Sequence, residues 1–457
     1  MTETKPTRLQ PARGDAADET ARRLPRWAAQ SLSLPVTAVL ALYLLATSRW
    51  GSYVSPPGSV IYVADVAIAV AVAQVAVALL LRRSRFSELA LAPLTVLLSS
   101  ALLAYAGLRF AARADVSLMA LRDLAPYAYS VVAVLTFLLP VGRRGAWRLF
   151  AYLVLAFHLM WSVGLPRLAG YPWTLPVLGT DAQVFSARPD FDATVLGATA
   201  ALAVYEVLSR ARTQRRSITV TLVALALTSI AGLLSLSTRA GLLAGILMLG
   251  VAVVAAIPSS WVKHLWGAHR AATVSAAALL LTVGIAGVGL SPAGSRLAES
   301  FSGGAASGTI SARQTVWSKI TDYILSDPER TAVGVGFGRD FIAESGTTAA
   351  LEGGVYTNVR SPHNYLLGTG ARLGAAGVMV AGLLLLLGWW MAVAELGRRP
   401  DTVTALAAFV VLGIPVVALL GVVLESPFGA IPYFWGIGQL AAARLRRPDQ
   451  KSGAAVS

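Results

Sequence analysis

Four histidines occur in the chain, and one is set apart by its neighbours. His363 lies in Ser361-Pro362-His363-Asn364-Tyr365, immediately ahead of a long apolar stretch. An imidazole titrates near neutral pH and takes a proton from a hydroxyl readily, so His363 is a candidate general base. The plainer alternative is an interfacial His that caps a helix. Arg239 sits in Leu236-Ser237-Thr238-Arg239-Ala240-Gly241, a tight turn between two apolar stretches. A snorkelling side chain accounts for it, but an Arg pinned among small residues at headgroup depth also suits an anion. Arg313, in Ser311-Ala312-Arg313-Gln314-Thr315-Val316-Trp317, is either part of a solvated face or a second fork for the same anion.

Weaker signals accompany these three. Gly334-Val335-Gly336-Phe337-Gly338 reads as a bare turn or as a backbone nest whose N–H groups approach a phosphate. A dinucleotide-binding reading needs a strand before it and a helix after it, which this stretch does not offer. Asp190-Phe191-Asp192 is explained by carboxylates at a helix N-terminus, with metal binding as the sharper alternative. Asp65 falls within an apolar span, His158 within another, and His264 and His269 in a loop among bulky residues. The chain has no Cys, which excludes disulfides, thiolate metal sites and a Cys nucleophile.

These residues must be positioned by membrane helices. Of the 457 residues, 56% are hydrophobic and 13% charged, and a soluble domain carries roughly twice that charged fraction. Apolar runs of about 18–23 residues recur, each long enough to cross a bilayer core. Helices are expected at 30–48, 59–81, 88–108, 120–140, 148–165, 191–209, 217–236, 240–257, 271–290, 364–394, 403–424 and 431–445. Glycines at 368, 370, 374 and 377 divide the 364–394 stretch into a short lead-in piece and the span proper. The chain therefore divides into a polar cytoplasmic tail (1–28), nine spans (29–290), an outer loop domain (291–363), three further spans (364–445) and a second tail (446–457).

Orientation follows from charge. With the N-terminus inside, every short inner loop is basic, among them Arg82-Arg83, Arg143-Arg144, Arg215-Arg216, Arg398-Arg399 and Arg446-Arg447. The net charge of +15 is then topogenic, which argues against a nucleic-acid partner. On this topology His363, Arg239, Arg313 and Asp190 all face outward. The 291–363 loop is too long to be structureless. Ile310, Val316, Trp317, Ile320, Tyr323 and Ile324 recur at helical spacing, which predicts an amphipathic helix over 311–325. Ser307 or Thr309 would cap it, and Asp327-Pro328 would end it.

The ordered set resembles the O-antigen ligase and Wzy-type polymerase superfamily. The matching pieces are Ser237-Thr238-Arg239-Ala240-Gly241, then Arg313-x-x-x-Trp317, then Pro328 with Val333–Gly338. Last come His363-Asn364-Tyr365-Leu366 and Leu373-Gly374-Ala375-Ala376-Gly377. The likeness covers roughly 217–395, while the first six helices match only in kind. One position departs: where the family often carries an acid before the last Leu-Gly, this chain has Arg372.

The resemblance implies an all-α, GT-C-like polytopic fold of about twelve spans in the cytoplasmic (inner) membrane, with an extracytoplasmic active site. It implies a polyprenyl-diphosphate-linked glycan as donor and a lipid, glycan or protein hydroxyl as acceptor. Transfer is inverting and needs no metal or other cofactor. His363 would activate the acceptor, Arg239 and Arg313 would neutralise the diphosphate, and Gly336, Gly338 and Asn364 would line its site. A polymerase, whose acceptor is another lipid-linked repeat unit, shares this donor site. From a different class, a transporter or lipid flippase also suits twelve helices. It would place ionisable groups near the bilayer midplane instead of concentrating them at one boundary.

Overall fold

The computed structural model describes residues 34–55, 61–81, 92–112, 116–142, 145–164, 184–210, 215–236, 238–256, 305–351 and 361–446. The two tails as far as residues 1–33 and 447–457, the expected helix at 271–290, Ser237, His264 and His269 lie outside the described residues.

The protein is a polytopic membrane protein, and every regular element among the described residues is helical. In chain order the helices are α1 (Val36–Ser52), α2 (Val63–Leu81), α3 (Leu94–Ala111), α4 (Leu118–Ala128), α5 (Val131–Leu138) and α6 (Gly145–Leu159, continued by a π turn). They continue as α7 (Pro189–Arg210), α8 (Arg216–Ser235), α9 (Arg239–Ala256), α10 (Ala305–Leu325), α11 (Pro328–Val333), α12 (Phe341–Glu344) and α13 (Thr347–Ala350). The last three are α14 (Tyr365–Leu396), α15 (Thr402–Ala418) and α16 (Pro427–Leu445). Eight helical segments among the described residues are long and apolar enough to cross a membrane, with α4 and α5 counted as one segment over Leu118–Leu138.

Burial sorts these helices into an inner and an outer set. In α7, 83% of the spanning window is buried, against 22% in α2 and 28% in α8. α7, α15 and α16 therefore form the centre of the bundle, and the outer helices leave leucine and valine faces bare, as a lipid-facing surface does. Polar caps fix several starts: Ser117 accepts from the Ala120 N–H (3.1 Å) and Asp401 from that of Thr404 (3.1 Å).

The 305–351 segment has a small core of its own. Val316, Ile320 and Ile324 of α10 pack with Val335, Phe341, Ile342 and Leu351, and with Ala371 of α14. The amphipathic helix is present but begins earlier than its spacing indicated. Ser307 and Thr309 lie inside α10, so neither caps it. Asp327 does more than end α10, because its carboxylate accepts from the Glu329 and Arg330 N–H groups and opens α11.

α14 carries the expected break. Gly374 takes φ 65° and ψ −164°, a region that is essentially glycine's alone. A short 365–373 piece thus precedes the long apolar rod.

Candidate functional site

Three helices start at the same end of the bundle: α7 at Pro189, α9 at Arg239 and α14 at Tyr365. Their N-termini bring partial positive charge toward one region. Gly241, two residues into α9 beyond Arg239, closes on the first turn of α7. A Cβ there would lie 2.4 Å from the Ala193 Cβ and 3.3 Å from the Asp190 carbonyl oxygen. The Arg239 turn is thereby packed against Asp190.

His363 is half-buried on the short connection before α14 and takes φ 53°. A non-glycine residue in this region is strained by about 1–3 kcal/mol and persists only where its surroundings hold it. Three ties do so. Ser361 Oγ accepts the His363 N–H at 3.2 Å, and Ser361 donates to Glu425 Oε2 at 2.8 Å. Trp317 of α10 donates its indole N–H to the Pro362 carbonyl at 2.7 Å. Asn364 caps α14, its Oδ1 accepting the Leu367 N–H at 3.1 Å.

Electrostatics joins His363 to two arginines. Burial, then the positive charges of Arg313 and Arg188, hold its imidazole below the ordinary value of 6.5, and Asp190 opposes them. Arg313 and His363 are thus brought together. Arg188 joins them, a residue that the sequence reading passed over. Its signal was Pro189, which favours the first position of a helix and so places Arg188 at the cap. Arg188 pairs with Asp190 at 2.9 Å, and its backbone N–H donates to Asp192 Oδ2 at 2.8 Å. Asp190 Oδ1 also accepts the Phe191 N–H at 2.9 Å. The DxD carboxylates therefore cap α7 and hold Arg188. Among the described residues no group of three His, Cys, Asp or Glu side chains could hold a metal ion.

The glycine run has a different partner from the expected phosphate. Gly334, Gly336 and Gly338 all have positive φ. The break at Gly374 strips the Ala371, Arg372 and Leu373 carbonyls of their helical donors. The Val335 N–H donates to Ala371 O at 2.8 Å and the Gly336 N–H to Arg372 O at 3.0 Å. Tyr105 donates its hydroxyl to Leu373 O at 3.1 Å, and the Gly338 N–H goes to Asp123 Oδ2 at 3.1 Å. The N–H groups of Val335 and Gly336 thus splint the broken helix, while that of Gly338 is engaged with α4. Contact is close enough that a Cβ at Gly334 would lie 2.4 Å from the Arg372 backbone, and one at Gly374 2.5 Å from that of Ala332.

Arg372 forms a partly buried ion pair with Asp123 of α4 at 2.9 Å and lies over the Phe341 ring at 5.0 Å. Glu425, on the turn between α15 and α16, sits near this pair. Burial raises its carboxyl, and Arg372 and the Ser361 hydroxyl oppose that. A lone acid between two apolar helices was the available signal for Glu425. His158 plays no part here: it is buried edge-on to Trp161, with ring centroids 5.0 Å apart.

Two cavities flank α10. An apolar groove of about 540 Å³ runs between α10 and the start of α14, lined by Trp317, Ile324, Leu325, Asn364, Leu367 and Met379 among others. A polar pocket of about 480 Å³ lies between α10, α11 and α12. Comparison with protein-family models finds no match, and comparison with curated proteins finds no significant one.

Proposed function

We propose that the protein is an O-antigen-ligase-like glycosyltransferase of the cytoplasmic membrane, with about twelve spans, a GT-C-like fold and its active site on the outer face. It moves a glycan from a polyprenyl diphosphate to an acceptor hydroxyl. One observation carries this reading. A half-buried imidazole, its pKa lowered by burial and by the charges of Arg313 and Arg188, directly precedes Asn364, which lines an apolar groove.

In the proposed reaction the acceptor oxygen attacks the anomeric carbon and the bond from that carbon to the diphosphate oxygen breaks. His363 takes the hydroxyl proton, a role worth about 10²–10⁴-fold in rate. Charge builds on the departing diphosphate, and Arg313, Arg239 and Arg188 offset it, removal of one such donor costing roughly 10²–10³-fold. Attack opposite the leaving group inverts the anomeric configuration. The groove suits the polyprenyl chain, and Asn364 fixes the start of α14 beside it.

The test is transfer by the purified protein in lipid vesicles with a defined polyprenyl-diphosphate oligosaccharide. Release of polyprenyl diphosphate in step with glycan transfer, lost in His363→Ala and Arg313→Ala, is expected. Flipping of the lipid with no glycosidic bond broken would overturn the proposal. Products that grow by whole repeat units would assign the polymerase reaction instead.

A further inference from the structure

The polar pocket beside α10 is not used by the proposed chemistry. Tyr323 of α10 forms one wall, Asp327, Glu329 and Arg330 line it at α11, and Arg339 and Glu344 close it at α12. We infer that this pocket is a saccharide subsite, holding sugar units of the lipid-linked glycan beyond the reacting one. The inference rests on the glycosyl-transfer reading.

The composition of the pocket selects the ligand class. Both of its guanidiniums are already paired: Arg339 donates to both Glu344 oxygens at 2.9 and 2.8 Å, and Arg330 lies 3.1 Å from Asp327. Tyr323 donates its hydroxyl to Glu344 and carries Arg330 over its ring at 4.1 Å. Three carboxylates stand against two guanidiniums, which disfavours a free anion. Fixed acceptors and fixed donors side by side suit a neutral polyol, because each hydroxyl both gives and accepts a hydrogen bond.

Placement selects which sugars. Tyr323 lies ten residues along α10 from Arg313, about 15 Å at the helical rise. It also projects about 120° around the helix from Trp317, which lines the apolar groove. α10 therefore separates an apolar channel from a polar one. An amphipathic ligand with its chain in the groove and its diphosphate by Arg313 would have only its distal sugars within reach of Tyr323.

The experiment compares donors carrying one repeat unit and several, using the full-length protein in vesicles. Two variants are used. Arg339→Ala opens the ion-paired wall, and Glu329→Arg crowds the mouth without touching that network. Each is expected to raise the KM for the multi-unit donor roughly tenfold, the loss of one or two hydrogen bonds. The kcat and the KM for the one-unit donor should stay unchanged. Equal effects on both donors, or none on either in Glu329→Arg, would overturn the subsite while leaving the transfer reading intact. Transfer of neither donor by the wild type would overturn both.

Discussion

The indole N–H of Trp317 donates to the backbone carbonyl of Pro362 across 2.7 Å, so a helix of the 305–351 domain grips the residue just before His363. Arg313 lies one helical turn earlier on the same face of α10. A single helix thus supplies a cation beside the imidazole and a tie on the imidazole's own backbone.

Loss of that tie should be visible in catalysis before stability. Trp317→Phe keeps an aromatic ring but leaves the buried Pro362 carbonyl without its donor, worth about 1–3 kcal/mol. Relaxation of the strained His363 backbone is the cheapest response. The expected result is a roughly tenfold fall in kcat, read in the vesicle transfer assay at saturating donor, so that any change in the groove wall that Trp317 also forms does not enter. An unchanged kcat would show that the indole only fills space.

The Gly-rich splint predicts a stability effect with an internal control. Gly334→Ala and Gly374→Ala put a Cβ within 2.5 Å of facing backbone, in a region of φ and ψ that side chains avoid. Strain of about 1–3 kcal/mol and a clash of similar size add there. Gly250 in α9 has nothing within 4 Å of such a Cβ, so Gly250→Ala should be neutral or mildly stabilising. Melting of the detergent-solubilised variants, followed by loss of helical signal or aggregation, separates these outcomes.

The helices were legible because apolar runs of bilayer length have few other uses, and the break in α14 because glycines cluster there. What escaped was pairing between distant elements. The motif Gly334–Gly338 could be read only as a turn or a phosphate nest, because the carbonyls it meets are orphaned only once α14 breaks at Gly374. Arg372 could be read only as a departure, because its partner Asp123 stands on α4, 249 positions away. The start of α10 was misjudged because Ser307 and Thr309 are common caps, and a helix continued through them. Of the candidate site, Arg313 and His363 could be singled out from their types. Arg188 and Glu425 were missed, since each acts through a neighbour brought near by folding.

His363 sets an expected pH profile. Its imidazole is held below 6.5 by burial, Arg313 and Arg188. A base works only when deprotonated, so kcat/KM should fall as pH drops through that lowered value. Activity should therefore persist into mildly acidic buffer, below the range of an ordinary histidine. Arg313→Gln removes one of the lowering charges and should move the acid limb upward toward 6.5, besides weakening the donor. A limb that stays in place would detach Arg313 from His363.

Arg188 and Asp190 give the sharpest discrimination, because their charges act on His363 with opposite signs. Arg188→Gln removes a lowering charge, so the acid limb of kcat/KM should rise. Asp190→Asn removes the opposing charge and also releases Arg188 from its 2.9 Å ion pair. Both consequences push the same way, so that limb should fall further. A catalytic metal held by the DxD would give another pattern: Asp190→Asn would abolish transfer at every pH, and EDTA would do the same to the wild type. With the carboxylates acting as caps and as a brace for Arg188, chelator should leave the rate unchanged. The two limbs should then separate in opposite directions from the wild type, with Arg188→Gln alone raising the donor KM about tenfold, the loss of one charge-assisted contact to diphosphate.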